Sequence, residues 1–238
     1  MMAPTRRISR ERSIVVACDV ASIKELLDLV GSTADIDAVG AYKIGFALAL
    51  KYGLGNVVDS ARELTGKPII YDHQKGGTDV PHTGSLFAEL MADSGVDYAI
   101  LFPFASPSTE TAWIRDLHAK GIRPIIGAMM TIPDFLKENG GFLDGGAVKR
   151  IMEIACGEGV TDFVLPGNKP LQAASLREII ESKVQSPSYF LPGIGAQGGE
   201  ISSISAAVGS RWHAIVGRAI YGSKSPRESA AMLAKEVP

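Results

Sequence analysis

The chain has 238 residues, of which 46% are hydrophobic and 21% charged, a composition that lets a globular protein bury a core without disulfide or metal staples. Its 24 basic and 26 acidic residues leave a net charge of −2, so no broad basic field exists to grip a nucleic-acid backbone. No window approaches the ~20 apolar residues of a membrane span, and the N-terminus lacks the apolar stretch of a signal peptide. A cytoplasmic protein without nucleic-acid or membrane partners is expected.

In chain order, the first charged group is Arg6, Arg7, Arg10, Glu11 and Arg12, read as a short solvated N-terminal arm over 1–12. Residues 13–19 (S-I-V-V-A-C-D) then form a strand-like apolar run. A helix over 22–30 follows, with Ser22 as N-cap and Ile23, Leu26, Leu27 and Val30 at helical spacing. Further apolar runs fall at 41–45, 68–72, 97–103, 123–129, 161–166, 188–194 and 212–218. Amphipathic segments stand between them at 85–92, 108–120, 146–156 and 171–182, with another at 226–235. Runs this apolar suit parallel strands covered on both faces. Eight strand–helix beats predict a closed (β/α)8 TIM barrel, a single domain over 1–238. The rival, an open doubly wound sheet, has fewer strands and a glycine-rich first turn. The first turn here is A-C-D-V-A-S. Cys18 and Cys156, in apolar settings, read as small buried hydrophobes. His118 sits on a predicted helix and His213 inside a strand, where a satisfied core histidine is expected rather than a metal ligand. The glycine-rich stretch 138–146 reads as a loop.

Active sites of such barrels gather at the C-terminal strand ends, and polar residues collect there. The first strand ends at Asp19, the second carries Lys43, and the third runs into Y-D-H-Q-K-G-G-T-D-V-P-H-T-G with Asp72, Lys75, Asp79 and Thr83. Lys43 reads either as an outward lysine snorkelling between helices or as an inward ammonium with a carboxylate partner. The seventh strand ends in P-G-I-G-A-Q-G-G, with Pro192 and Gln197, and the eighth in V-G-R, with Gly217 and Arg218. Glycines let backbone N–H groups approach a ligand, and an arginine fork suits phosphate oxygens. A phosphorylated small molecule is implied, its phosphate at strands seven and eight and its reacting end among the aspartates and lysines. No metal-ligand cluster is apparent. His73, beside the charged group, is a secondary binding candidate.

The order A-C-D, Y-K-I-G, Y-D-H-Q-K-G-G-T-D-V-P-H-T, M-M-T-I-P, L-P-G-I-G-A-Q-G-G and I-V-G-R-A-I-Y resembles the orotidine 5′-monophosphate decarboxylases, particularly archaeal ones, from about Ile14 to Tyr221. The resemblance implies decarboxylation of orotidine 5′-monophosphate to UMP and CO2 in pyrimidine biosynthesis, without metal or cofactor. It further implies that Asp19 and Lys43 bind ribose hydroxyls and that Lys43 pairs with Asp72. Lys75 is then the proton donor beside Asp72. Asp79 and Thr83 are lent to the neighbouring subunit's site in a homodimer. Thr131 touches the pyrimidine and the phosphate-loop glutamine, while Pro192, Gln197, Gly217 and Arg218 hold the nucleotide. Binding of the phosphate closes the 195–199 loop and the Thr131 loop over the base. The family pattern D-x-K-x-x-D is lengthened here by one residue on each side of Lys75, which a tight turn at Gly76 and Gly77 can absorb. Related Mg2+-dependent sugar-phosphate enzymes carry a glutamate where this chain has Lys43, and a cation there opposes Mg2+. A non-catalytic phosphate-ligand sensor on the same barrel is the remaining alternative.

Overall fold

In the computed structural model, residues 6–73, 76–194 and 201–237 are described. Eight parallel strands close on themselves: β1 (Arg12–Cys18), β2 (Val39–Gly45), β3 (Ile69–Asp72), β4 (Tyr98–Leu101), β5 (Arg123–Gly127), β6 (Asp162–Val164), β7 (Ser188–Pro192) and β8 (Trp212–Val216). Each pairs with its sequence neighbour, and β8 returns to β1 with Arg12 beside Trp212 and Val16 beside Val216. The expected barrel is the observed one.

Helices wrap the outside. Ser22 caps α1 (Ile23–Thr33) by accepting from the Glu25 N–H, as its sequence position predicts. Ser106 and Pro107 open α5 (Pro107–Ala119). Asp144 caps α6 (Gly145–Gly157) and Ser225 caps α10 (Pro226–Ala234). Those, with α4 (Thr83–Asp93) and α7 (Pro170–Glu181), match the expected segments within a few residues. Four helices were not expected. F-A-L-A-L-K-Y shows no polar face to betray α2 (Phe46–Tyr52), which Gly53, at φ +80, separates from α3 (Leu54–Arg62). The serine-rich α8 (Ile201–Val208) and the single turn α9 (Arg218–Tyr221) are too short for a periodic signal.

Strand alternation divides the core in two. Val15, Ala41, Ile70, Ile100, Ile125, Val164, Phe190 and Ile215 fill the barrel, while Ile14, Val16, Ile44, Ile69 and Leu101 face the helices. Gly127 belongs to the inner packing, because a Cβ there would stand 2.4 Å from the Phe102 ring. The N-terminal segment does not behave as a solvated arm. Ile8 is 4% exposed and joins the inner core, the Ile8 N–H donates to Tyr98 Oη, and the Arg6 N–H donates to Asp97 Oδ1 at 2.7 Å. Asp97 also accepts from Arg62 and from the Ile69 N–H. One carboxylate thus ties the N-terminal segment, α3 and β3 together at the barrel floor. Arg12 lies within β1 itself.

His213 is a core histidine, as expected. Its Nδ1 lies 2.9 Å from Ser13 Oγ, and burial, helped by Arg211, pulls its pKa down to about 3, so the ring is neutral. Burial pushes the Cys18 thiol up to about 12 and leaves it inert, whereas Cys156 is only half-buried.

Glu110 on α5 is the anomaly of the outer layer. It is 1% exposed, its Oε1 has no hydrogen-bond partner among the described residues, and burial, then the Glu158 carboxylate, raises its pKa to about 8. The folded state therefore holds this proton more tightly than the unfolded chain does. Its stabilisation is complete below the ordinary pKa of ~4.5 and lost as pH rises through the window to ~8. Glu110→Gln is expected to change stability little near pH 5 and to raise it by ~2–4 kcal/mol near pH 9. Thermal melts of both proteins across that range check it. Parallel pH dependences would contradict the buried neutral carboxyl.

Candidate active site

The inner rows of β1, β2 and β3 run upward to charge. Val15 and Ala17 lead to Asp19, Ala41 leads to Lys43, and Ile70 leads to Asp72, because alternate residues of a strand share a face. Lys43 accordingly points inward, not outward. Its Nζ lies 2.9 Å from Asp72 Oδ2 and 3.1 Å from Asp19 Oδ1, with only 7% of the side chain exposed. Burial alone would depress its pKa, but the two carboxylates outweigh that and hold it above its ordinary value. Lys43 stays an ammonium. Gly45 makes the approach possible, since a Cβ there would fall 2.6 Å from Asp19 Oδ1.

Asp72 is half satisfied. Oδ2 meets Lys43, while the buried Oδ1 has no partner among the described residues. An unpaired carboxylate oxygen in a dry site is costly and calls for a cation or donor. The chain leaving β3 is tightly held: the Gly76 N–H donates to His73 O at 2.6 Å, the Phe102 N–H to Gly76 O at 2.8 Å, and Thr78 Oγ1 to Phe102 O at 2.6 Å. Gly77 takes φ +83 and presses against Pro103, where any Cβ would be crowded at 3.2 Å. Lys75 lies outside the described residues. His73 Nδ1 meets Tyr71 Oη at 2.8 Å, which ties it to the wall.

Above the triad opens a cavity of about 160 Å³. Asp19, Lys43 and Asp72 line it together with Pro192, Gly193, Gly217 and Arg218. Of the expected phosphate residues, Pro192, Gly217 and Arg218 are thus brought to the same cavity as the charged centre. Gln197 and the rest of 195–200 lie outside the described residues. Asp79, Thr83 and Thr131 do not line this cavity. Asp79 is exposed, with Oδ1 accepting from the Val80 N–H, and Thr83 Oγ1 donates to Val80 O. Thr131 is half-buried, its carbonyl accepting from Asn168 Nδ2. Ile100, Phe102, Val164, Ile215 and Tyr221 also line the cavity and were not foreseen. Strand alternation would have found the first four, and Tyr221 follows Arg218 by one helical turn. Among the described residues, no three His, Cys, Asp or Glu side chains cluster as a metal site, and no helix is long and apolar enough to cross a membrane.

A closed (β/α)8 barrel in which a buried lysine–aspartate pair, a second aspartate, an arginine and glycine backbone line one small cavity defines an enzyme that acts on a small anionic substrate. The chain belongs to the orotidine 5′-phosphate decarboxylase / HUMPS family, whose model matches residues 12–233. It is 32% identical to the orotidine 5′-phosphate decarboxylase of Methanosarcina barkeri over 97% of this chain and 96% of that one. The Thermococcus kodakarensis enzyme of the same name is 28% identical over 95% of this chain and 97% of its own. Among solved structures, orotidine 5′-monophosphate decarboxylase from Methanocaldococcus jannaschii, complexed with the inhibitor BMP, superposes with a TM-score of 0.82 at 26% identity. That match covers 95% of this chain and 98% of that one. The Pyrococcus horikoshii enzyme gives 0.77 at 27% identity, over 94% of this chain and 98% of its own.

Proposed function

We propose that this chain is an orotidine 5′-phosphate decarboxylase, a cytoplasmic carboxy-lyase that converts orotidine 5′-monophosphate to UMP and CO2 in pyrimidine biosynthesis. The observation that carries the reading is Lys43 held between Asp72 and Asp19 in a cavity that Arg218 also lines. An ammonium fills the place between two carboxylates that a divalent cation would otherwise take, which favours metal-free chemistry over the Mg2+-dependent sugar-phosphate reactions of related enzymes.

Loss of CO2 leaves an electron pair at carbon 6 of the pyrimidine, with little resonance help. Catalysis must then supply much of ~8–23 kcal/mol through preorganised charge. Lys75, as an ammonium, faces that carbon and gives it a proton. Asp72 stands against the departing carboxylate, and Lys43 holds Asp72 in place while meeting the ribose with Asp19. Gln197, Gly217 and Arg218, beside Pro192, hold the phosphate, and Thr131 meets the base. Intact Asp72 and Lys75 argue against a mere sensor, since binding alone needs no proton donor among carboxylates. Loss of the orotate chromophore, followed with a chelator present, tests the reading. Chelator-insensitive turnover of orotidine 5′-monophosphate is expected, and a requirement for Mg2+ would overturn it.

The working unit in this reading is a homodimer. Asp79 and Thr83 do not line the chain's own cavity and share a segment with exposed apolar side chains at Val80, Leu86 and Leu90, an arrangement suited to a partner's site. Leu86→Glu with Leu90→Glu is expected to yield monomers with at least ~100-fold lower turnover. A fully active monomer in sedimentation would defeat the shared site.

A further inference from the structure

Between β6 and α7 the chain reads P-G-N-K-P, from Pro166 to Pro170. Two prolines stiffen the segment, and the second keeps Lys169 out of the helical conformation (φ −132, ψ 70) just ahead of α7. A turn from the Lys169 N–H to Pro166 O tightens it further. The three residues inside reach in two directions. Toward β7, the Gly167 N–H donates to Pro192 O at 2.8 Å, and a Cβ on Gly167 would stand only 2.7 Å from that same oxygen. Toward the loop after β5, Lys169 Nζ donates to Met130 O at 3.1 Å and to Ile132 O at 2.5 Å, and Asn168 Nδ2 donates to Thr131 O at 3.1 Å. Three successive carbonyls are thus held by two side chains of the neighbouring loop. Neither Asn168 nor Lys169 lines the cavity.

We infer that Asn168 and Lys169 are positioning residues that couple the phosphate end of the site, at Pro192, to the loop that carries Thr131. The inference rests on the reading of Thr131 and of the β7 end given above. A single stiff strut contacts both, so a shift of the β7 end on phosphate binding moves the segment that presents Thr131 to the base. Binding energy from a remote group is then spent on alignment at the reacting end. Lysine suits this task because its three donors can serve two carbonyls at once, and the asparagine orientation is dictated by its need to offer an N–H to Thr131 O.

The test compares wild type with Asn168→Ala, Lys169→Met and Lys169→Arg on two substrates, orotidine 5′-phosphate and the unphosphorylated nucleoside orotidine. In Asn168→Ala and Lys169→Met, kcat/KM for the nucleotide is expected to fall ~10–100-fold while that for the nucleoside stays within ~2-fold. Lys169→Arg is expected to keep most of the nucleotide activity. Equal losses on both substrates, or no loss on either, would overturn the coupling. A second measurement does not depend on turnover. Amide hydrogen exchange across 128–134 is expected to slow when inorganic phosphate is added to wild type and not when it is added to Lys169→Met. Equal protection in both proteins, or none in wild type, would count against the strut. Failure of wild type to decarboxylate the nucleotide would instead defeat the proposed function, and the exchange experiment would still judge the coupling.

Discussion

Lys75→Ala is expected to lower turnover by ~10⁴-fold or more while UMP still binds. The reason lies in Asp72. Its Oδ2 is met by Lys43, but its buried Oδ1 faces no donor among the described residues. A carboxylate so placed raises the energy of any anion brought beside it unless a second cation arrives. Lys75 follows three positions later, and in the proposed mechanism it supplies that cation as an ammonium. In that mechanism, removing it takes away both the charge that steadies the carbanion and the proton that quenches it. Single-turnover rates together with UMP affinity separate these effects from a simple loss of binding. A variant that still turns over within ~10-fold of wild type would mean that another group supplies the proton.

The second large effect is assigned to Arg218→Ala, with kcat/KM down by ~10²–10⁴-fold and the fold unchanged. Two charge-assisted hydrogen bonds from a guanidinium to a phosphate contribute ~1.5–3 kcal/mol each. Arg218 is exposed, and its side chain has no hydrogen bond or ion pair among the described residues, so among them its removal leaves nothing buried and uncompensated. The unfolding midpoint should stay within the ~0.5 kcal/mol typical of surface substitutions. Near-normal efficiency on the nucleotide would contradict the placement of the phosphate at the ends of β7 and β8.

Much of the site was legible because strands have a period of two. Once 41–45 is read as a strand in a filled barrel, Lys43 must share a face with Ala41, and a buried ammonium must have carboxylates near it. The residues whose types carry charge at strand ends could therefore be named in advance. What escaped was structure made by partners distant in sequence. Ile8 looked like part of a basic arm because its burial depends on the floor formed by Tyr98 and Asp97, some ninety positions away. The role inferred for Asn168 and Lys169 rests on carbonyls of another loop, and carbonyls leave no trace in a sequence. Gly127 is explained only by the Phe102 ring against it. Helix α2 was missed for a different reason, since a helix apolar in all but its last turn has little periodicity to detect.

The sealed floor bears on the electrical setting of the chemistry. With Ile8 seated below, and Val15, Ile70, Ile125 and Phe190 filling the interior, hydrocarbon rather than a column of water underlies Lys43 and its two aspartates. Poorly polarisable matter on that side cannot screen them, so their field is spent chiefly in the direction of the mouth. An incoming substrate meets it there.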